Sequence, residues 1–321
     1  MPDARILTPG RVLLLLALGA ALAVALFMTL GARGPWSFVL PFRGTKVAVM
    51  LLVAYAIGVS TVLFQTVTNN RILTPGIMGF DWLYMLIQTW TVFVFGSAAV
   101  AAFDPRLRFA GEVAVMVAFS VLLFRALFSS GRRSLHQLVL AGVVFGVFFR
   151  SLSGFLQRVI DPSEFAILQD RLFASFNRMD TGLLAAAAVA VAGASLVAWR
   201  VGHTFDVLAL GRERAINLGV DHRRAVSLIL VLVAVLVSVS TALVGPVTFF
   251  GLMVASLAHL LTGSSRHRVL LPAAVLLGVI GLVGGQMILE RVFAFDGNLR
   301  VVIEFLGGIL FIILLLRGSA R

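Results

Sequence analysis

Long apolar runs separated by short polar connections set the pattern of this chain. Many of the runs are about 20 residues long, the length that a helix needs to cross a bilayer core of roughly 30 Å. The pattern therefore predicts about ten transmembrane helices, of which the eighth is short. The predicted spans are 11–31, 47–67, 77–99, 109–128, 136–157, 182–202, 224–245, 247–262, 269–289 and 300–317.

The composition agrees with a polytopic membrane protein of all-α class. The mean hydropathy is +1.05, and the chain is 60% hydrophobic and only 12% charged, which excludes an ordinary soluble domain. Spans and tight connections fill the length, so residues 1–321 are predicted to form a single transmembrane domain. The first apolar run is longer than the core of a signal peptide and lacks a clear cleavage pattern, so we expect it to be retained. The absence of cysteine excludes disulfides, thiolate metal sites and cysteine nucleophiles.

A polar island at residues 205–224, FDVLALGRERAINLGVDHRR, interrupts the apolar pattern between the sixth and seventh predicted spans. Residues of helix-forming type, Arg212 through Leu218, lie between Gly211 and Gly219, and glycines are typical of helix ends. The pattern predicts a short charged helix outside the bilayer. We expect a membrane protein to present such a helix to a partner.

The net charge of +12, carried with a single lysine, Lys46, is a signal of topology. With the N-terminus inside, more basic residues fall on inner than on outer segments, as the positive-inside rule expects. The charge therefore does not predict a nucleic-acid partner. An even number of spans places both termini in the cytoplasm, and the island at 205–224 also lies inside.

Catalytic signatures are missing from the sequence. It contains no P-loop and no HExxH, and although Ser256 and His259 share a helical face, no acidic residue lies near enough in sequence to complete a triad. No metal site is predicted. The ionisable residues within the spans, Asp81, Arg150 and Glu304, lie towards span ends, whereas an ion-coupled carrier would place such groups near the midplane. Energy is therefore expected to enter through a partner at the island, with an ion-coupled carrier kept as an alternative.

An amphipathic stretch at residues 158–181 is predicted on the outer side. Its apolar residues recur at helical spacing: Phe165, Leu168, Leu172, Phe173 and Phe176. A helix that lies at the interface or caps a vestibule and a solvated connecting helix both fit this pattern.

Two helix breaks complete the set of motifs. They are FQTVTNNRILTPGIMGFD at residues 64–81 and GPVTFFGLMVASLAHLLTG at 245–263. Four further motifs accompany them: PFRGTK, the ALGRERAINLGV part of the island, HRVLLPAAVLLG and ERVF. In these motifs and their order along the chain, the sequence resembles the permease family of binding-protein-dependent ABC importers for iron–siderophores, haem and cobalamin. The resemblance covers nearly the whole chain. It implies a fold like that of the cobalamin importer permease: ten spans, paired permeases around a central path, two ATPases beneath and a substrate-binding protein above.

The resemblance also implies roles for particular residues. The segment at about 205–223 matches the cytoplasmic coupling loop that docks on the ATPase, and the basic residues ahead of the second and last spans match those that pair with acids on the binding protein. The coupling residues implied are Arg212, Glu213, Arg214, Asn217, Leu218 and Gly219, and the docking residues are Arg43, Lys46 and Arg291. Ser256 and His259 are candidates for the lining of the path, against the alternative that His259 is a packing histidine.

The chain departs from the common pattern of the family at several positions, and other motifs indicate which branch of the family it resembles. Much of the family has Pro-His and a following Arg where this chain has Ala255, Ser256 and His259, and many members have an acid at the position of Met287. The FQTVTNNRILTP, GFD and GG-x-x-F forms resemble the branch that carries catecholate-type siderophores. That branch often pairs two different permease chains, so a heterodimer is expected in preference to a homodimer.

The resulting hypothesis is the permease subunit of an ABC importer of ferric siderophore in a bacterial inner membrane. It is not itself an enzyme and binds no cofactor directly, because a separate ATPase chain hydrolyses the ATP. Haem or cobalamin import, an ion-coupled secondary transporter of a small organic solute and a non-transporting membrane scaffold stay open as alternatives.

Overall fold

The computed structural model describes residues 8–32, 34–128, 135–172, 176 and 181–291, with seven single positions between 302 and 313. Within these residues the chain is all-helical, with twelve α-helices and one 3-10 turn, η1. The helices are α1 (Pro9–Thr29), α2 (Trp36–Thr68), η1 (Gly76–Met78), α3 (Phe80–Ala102), α4 (Pro105–Phe128), α5 (Leu135–Val159), α6 (Pro162–Leu172), α7 (Thr181–Arg200), α8 (Gly202–Leu208), α9 (Arg212–Asn217), α10 (His222–Val244), α11 (Phe250–Thr262) and α12 (His267–Arg291).

Eight of these helices are long and apolar enough to cross a membrane. They correspond to the first seven and the ninth predicted spans. The eighth predicted span is the 13-residue α11, which confirms that it is short. The tenth, 300–317, lies largely outside the described residues. The prediction of an all-α, multi-pass membrane protein is confirmed.

The second predicted span, 47–67, is wrong at its start. α2 begins at Trp36, continues through Pro41 and reaches Thr68, so that PFRGTK lies within the helix and not ahead of it. The polar residues of PFRGTK lower the local hydropathy, so the sequence pattern places the start of the span after them. In the folded chain Arg43 and Lys46 find partners on α1 and α12, so the helix has no reason to end there.

α2 forms the centre of the bundle and packs against α10 and α12. Its close approach to α12 depends on small residues, since Gly58 lies against the backbone of Ala274, and Gly278 of α12 lies against Ala54 of α2. A Cβ on Gly58 would be 3.3 Å from the Ala274 carbonyl carbon, closer than side chains ordinarily approach. Small residues at such crossings are typical of helices that associate in lipid.

The amphipathic segment at 158–181 contains the helix α6, which is packed against α3. Leu168 and Leu172 are buried in one cluster with Val92 and Val100 of α3. Glu164 accepts a hydrogen bond from the backbone N–H of Ser97, just after Gly96 interrupts α3 with φ 74° and ψ 156°. Within the described part of this segment, α6 therefore covers a break in a span, whereas Phe173 lies outside the described residues.

Candidate coupling and docking sites

The charged helix predicted between Gly211 and Gly219 is present as α9. It ends in a Schellman motif, because the N–H of Val220 bonds to the carbonyl of Ala215 and that of Gly219 to Ile216, at 3.0 and 2.9 Å. This ending requires a left-handed residue, and Gly219 supplies it with φ 84°. Gly211, with φ 93°, allows the sharp entry. Two glycines thus fix both ends of a helix of six residues.

Most of α9 is displayed to solvent. Ala215 is fully buried and anchors the helix, whereas the six predicted coupling residues are all exposed. Two apolar side chains share this exposure, Ile216 at 49% and Leu218 at 62%. The sequence interpretation missed Ile216, although an apolar residue inside a charged island was a usable signal. Charged and apolar groups displayed together on a short rigid helix are typical of a protein-binding surface.

Immediately before α9, the helix α8 is tied to two spans through Asp206. Oδ1 of Asp206 accepts hydrogen bonds from the backbone N–H of His267, at 2.8 Å, and from its ring Nδ1, at 2.7 Å. Nε2 of the same ring lies 2.7 Å from Oγ1 of Thr66 on α2. The rings of Phe205 and His267 pack edge-to-face at a centroid distance of 5.6 Å. One buried imidazole therefore joins α8, the start of α12 and the end of α2.

The electrostatics keep Asp206 ionised. Partial burial acts to raise the pKa of its carboxyl, but the hydrogen bonds from His267 and the positive charges nearby outweigh this, and the pKa is lowered from its ordinary value. The carboxylate also lies at the N-terminus of α12, where the helix dipole favours negative charge.

An open cleft of about 910 Å³ lies beside this network, between α2, α7, α8 and α12. Asp206 lies in the polar island and His267 in the HRVLLPAAVLLG motif, but no local sequence pattern pairs residues 61 positions apart.

At the opposite end of the bundle, Arg43 and Arg291 meet at the end of α1. Arg43 donates to the carbonyls of Phe27, Met28, Leu30 and Gly31 at 2.8–3.1 Å, and so satisfies groups that a helix C-terminus leaves without partners. Arg291 donates to the Leu30 carbonyl from the end of α12, at 2.5 Å, and stays exposed. The structure thus brings these two predicted docking residues together.

Lys46 lies below this pair, inside the bundle. Its Nζ is 3.0 Å from Oε1 of Glu290, and it lies 4.9 Å from the centroid of the Phe42 ring. The lysine is only 6% exposed. Gln286 donates to the same Glu290 oxygen at 2.9 Å. A buried, neutralised ammonium links α2 to α12 and offers little charge to a partner, and its docking role stays a prediction. Glu290 belongs to the ERVF motif, whose local pattern gives no sign of this partner.

Ser256 and His259 lie on α11 and are both half-buried. They share one face of the helix, as their spacing predicts, and His259 is in the last turn, where its carbonyl accepts from Gly263. Their place in a transport path stays a prediction.

Comparisons with known proteins agree on one family. The model of the FecCD transport family matches residues 12–317. The chain is 48% identical over 286 residues to the petrobactin import system permease protein YclO of Bacillus subtilis, covering 89% of this chain and 91% of that protein. It is 37% identical to the petrobactin import system permease protein FatC of Bacillus anthracis, covering 87% of this chain and 78% of that protein.

A solved structure shares the fold. A metal-chelate-type ABC transporter in an inward-facing conformation superposes with a TM-score of 0.83, covering 96% of this chain and 99% of that one, at 21% sequence identity. At this identity the likeness concerns the arrangement of the helices alone.

Proposed function

The chain belongs to the FecCD transport family, and from that premise we propose that it is the permease subunit of an ABC importer that takes up a ferric siderophore. The observation that carries this proposal is the 48% identity to a petrobactin import permease over nearly the whole chain. Petrobactin is a siderophore of catecholate type, so the proposed cargo is an iron(III) chelate of that class. The subunit is a transport protein and not an enzyme, and the ATP is hydrolysed on a partner chain.

Energy enters through α9 in this proposal. Arg212, Glu213 and Arg214 supply charge, while Ile216 and Leu218 supply apolar contact area for a cleft on the ATPase. Because Gly211 and the Schellman ending at Gly219 fix both ends of α9, the helix would move as one rigid piece when the ATPases close.

The movement of α9 would reach the spans through α8. Asp206 holds His267, and His267 holds Thr66, so a displacement of α8 pulls on α12 and α2 together. These two helices cross closely through Gly58 and Gly278 and would tilt as a pair. The open cleft beside α8 leaves room for the displacement.

The opposite face would receive the substrate-binding protein. Arg291 is the exposed cation of the predicted docking set, and Arg43 fixes the end of α1 beside it. Acidic residues on the binding protein would be steered to this rim, an effect that mainly speeds docking and sets orientation. Lys46 would act beneath the rim by holding α2 to α12 through Glu290.

The proposed assembly contains this chain, a second and different permease chain, two ATPases and the binding protein, in a bacterial inner membrane. Both termini would be cytoplasmic, and residues 1–321 would form one permease domain. Ser256 and His259 are proposed to face the path between the two permeases.

Uptake of ⁵⁵Fe-petrobactin tests the proposal. A strain that lacks the gene for this chain but keeps its partners should lose uptake and regain it with the wild-type gene. A panel of haem, cobalamin and hydroxamate chelates identifies the cargo in the same strain. Haem or cobalamin uptake in place of petrobactin uptake would reject the siderophore, and unchanged petrobactin uptake in the deletion strain would reject the function.

A further inference from the structure

A small polar cavity lies inside the bundle where the two helix breaks meet. One break, at residues 74–79, precedes α3, and the other, at 245–249, separates α10 from α11. The cavity has a volume of about 30 Å³. Seven polar side chains line it, six hydroxyls and one carboxylate: Ser60, Thr61, Thr74, Asp81, Ser240, Thr241 and Thr248.

One of these groups is buried with its hydrogen-bonding capacity unused. The side chain of Thr74 is 2% exposed, and no described residue forms a hydrogen bond with its Oγ1. Leaving a buried hydroxyl unsatisfied costs about 1–3 kcal/mol. Buried polar groups in native proteins nearly always have a partner, so we expect a bound species in contact with the Thr74 hydroxyl.

The other oxygens around the cavity are able to coordinate. Ser60 and Ser240 donate their hydroxyl hydrogens to Ile57 and Val237 of their own helices, at 3.2 and 3.0 Å, so the oxygens keep lone pairs. Asp81 is 7% exposed and lies in the first turn of α3.

Two glycines make room for these groups. A Cβ on Gly76 would stand 2.8 Å from Oδ2 of Asp81. A Cβ on Gly251 would collide with the hydroxyl of Thr61. A Cβ at either position would force these side chains to shift, so the two glycines let the backbone approach the cavity oxygens closely.

This donor set has the chemistry of a site for an alkali cation. All its side-chain donors are oxygens, which hard cations prefer. It holds one carboxylate, which matches a single positive charge and would leave a divalent ion under-neutralised inside the membrane. The last turn of α10 contributes the negative end of a helix dipole. Interrupted membrane helices with unwound segments form sodium sites in other transport proteins.

We propose that this cavity binds one Na⁺ ion, held by Asp81, Thr74 and neighbouring hydroxyls, which fixes the two helix breaks to each other. The ion is a structural ligand of the permease. It joins α2, α3, α10 and the two helix breaks at one point.

Thermal unfolding of the purified importer complex in nanodiscs tests this site. The midpoint is measured in NaCl and in choline chloride at equal ionic strength. We expect Na⁺ to raise the wild-type midpoint saturably, on the order of 5 °C. Asp81→Asn and Thr74→Val should lose this increment. Thr74→Val should be no less stable than wild type in choline chloride, because it removes an unsatisfied hydroxyl without changing the shape of the side chain.

Ser238→Ala is the matched control. Ser238 also carries a buried hydroxyl without a hydrogen-bond partner among the described residues, but it does not line the cavity. This variant should keep the full Na⁺ increment. Equal midpoints in the two salts for the wild type would overturn the proposal in favour of a bound water, and an undiminished increment in Thr74→Val would overturn the assignment of the site.

Discussion

Replacing Asp206 with alanine separates α8 from the spans while leaving the surface of α9 intact. The substitution removes two hydrogen bonds to a carboxylate, at 2.7 and 2.8 Å, and leaves a His267 ring that is 4% exposed with Nδ1 unsatisfied. Hydrogen bonds to charged groups contribute about 1.5–3 kcal/mol each, and half of the Asp206 side chain remains solvated, so we expect a loss of about 3 kcal/mol. That corresponds to a factor of roughly 100 in the equilibrium between attached and detached α8.

The assay is the number of ATP molecules hydrolysed per siderophore imported by proteoliposomes that contain the whole importer. Asp206→Ala should keep ATP hydrolysis and lose most uptake, so the ratio rises by at least about tenfold. Asp206→Asn keeps an acceptor and should lose only about 1 kcal/mol, with an intermediate ratio.

The chain offers a matched control at Asp161. This aspartate also accepts two hydrogen bonds from one residue, the backbone N–H and hydroxyl of Ser163, at 2.9 and 2.6 Å, but it lies ahead of α6. Asp161→Ala should therefore leave the ratio unchanged. A wild-type ratio in Asp206→Ala, or an equal rise in both variants, would refute the mechanical role of the Asp206–His267 contact.

Further substitutions test the other sites. Gly219→Val forces a β-branched residue to φ 84°, at a cost of about 1–2 kcal/mol or more, and should uncouple ATP hydrolysis from uptake. The control Gly193→Ala, in α7 with open space around it, should leave coupling unchanged. Normal coupling in Gly219→Val would show that α9 has no part in the mechanism. Arg291→Glu should weaken docking of the binding protein in surface plasmon resonance without changing basal ATPase activity. An unchanged association rate would show that Arg291 is not part of the docking surface. Lys46→Met should lower the thermal stability of the complex, by about 3 kcal/mol, because the largely buried carboxylate of Glu290 loses its countercharge and keeps only the hydrogen bond from Gln286. Adding Glu290→Gln should restore most of this stability. No recovery in the double variant would contradict the pairing.

The pH dependence of coupling follows from the lowered pKa of Asp206. A carboxyl whose pKa is lowered in the folded protein adds stability above its unfolded pKa, and that stability is lost as the pH falls through the folded value. The Asp206–His267 contact should therefore persist between about pH 6 and pH 8. A coupling ratio that changes steeply in this range, and no longer does so in Asp206→Asn, would contradict the assignment.

Local patterns in the sequence were sufficient for the spans and for α9. Apolar runs near the bilayer thickness located the long helices to within a few residues, and Gly211 and Gly219 located the ends of α9 because its capping needs only neighbouring residues. The start of α2 was missed because the polar residues in PFRGTK are satisfied by distant partners.

Contacts between residues far apart in the chain could not be predicted from local sequence patterns. Lys46 and Glu290 are 244 positions apart, and Asp206 and His267 are 61 apart. Nothing in either local pattern names the other partner. The same reason hid the polar cavity, since Thr74 and Thr248 become neighbours only when two helix breaks pack together. The resemblance to the family, and not the local pattern, predicted the coupling and docking roles.

ATP-driven import through this chain is tested most directly by ⁵⁵Fe-petrobactin accumulation in proteoliposomes that contain this chain, its partner permease and the ATPases, with the binding protein added outside. Accumulation should require ATP, should be indifferent to imposed Na⁺ and proton gradients, and should vanish when the charges of Arg212, Glu213 and Arg214 are reversed together. Accumulation driven by an ion gradient without ATP, and unaffected by that reversal, would show that the chain is not an ATP-driven importer.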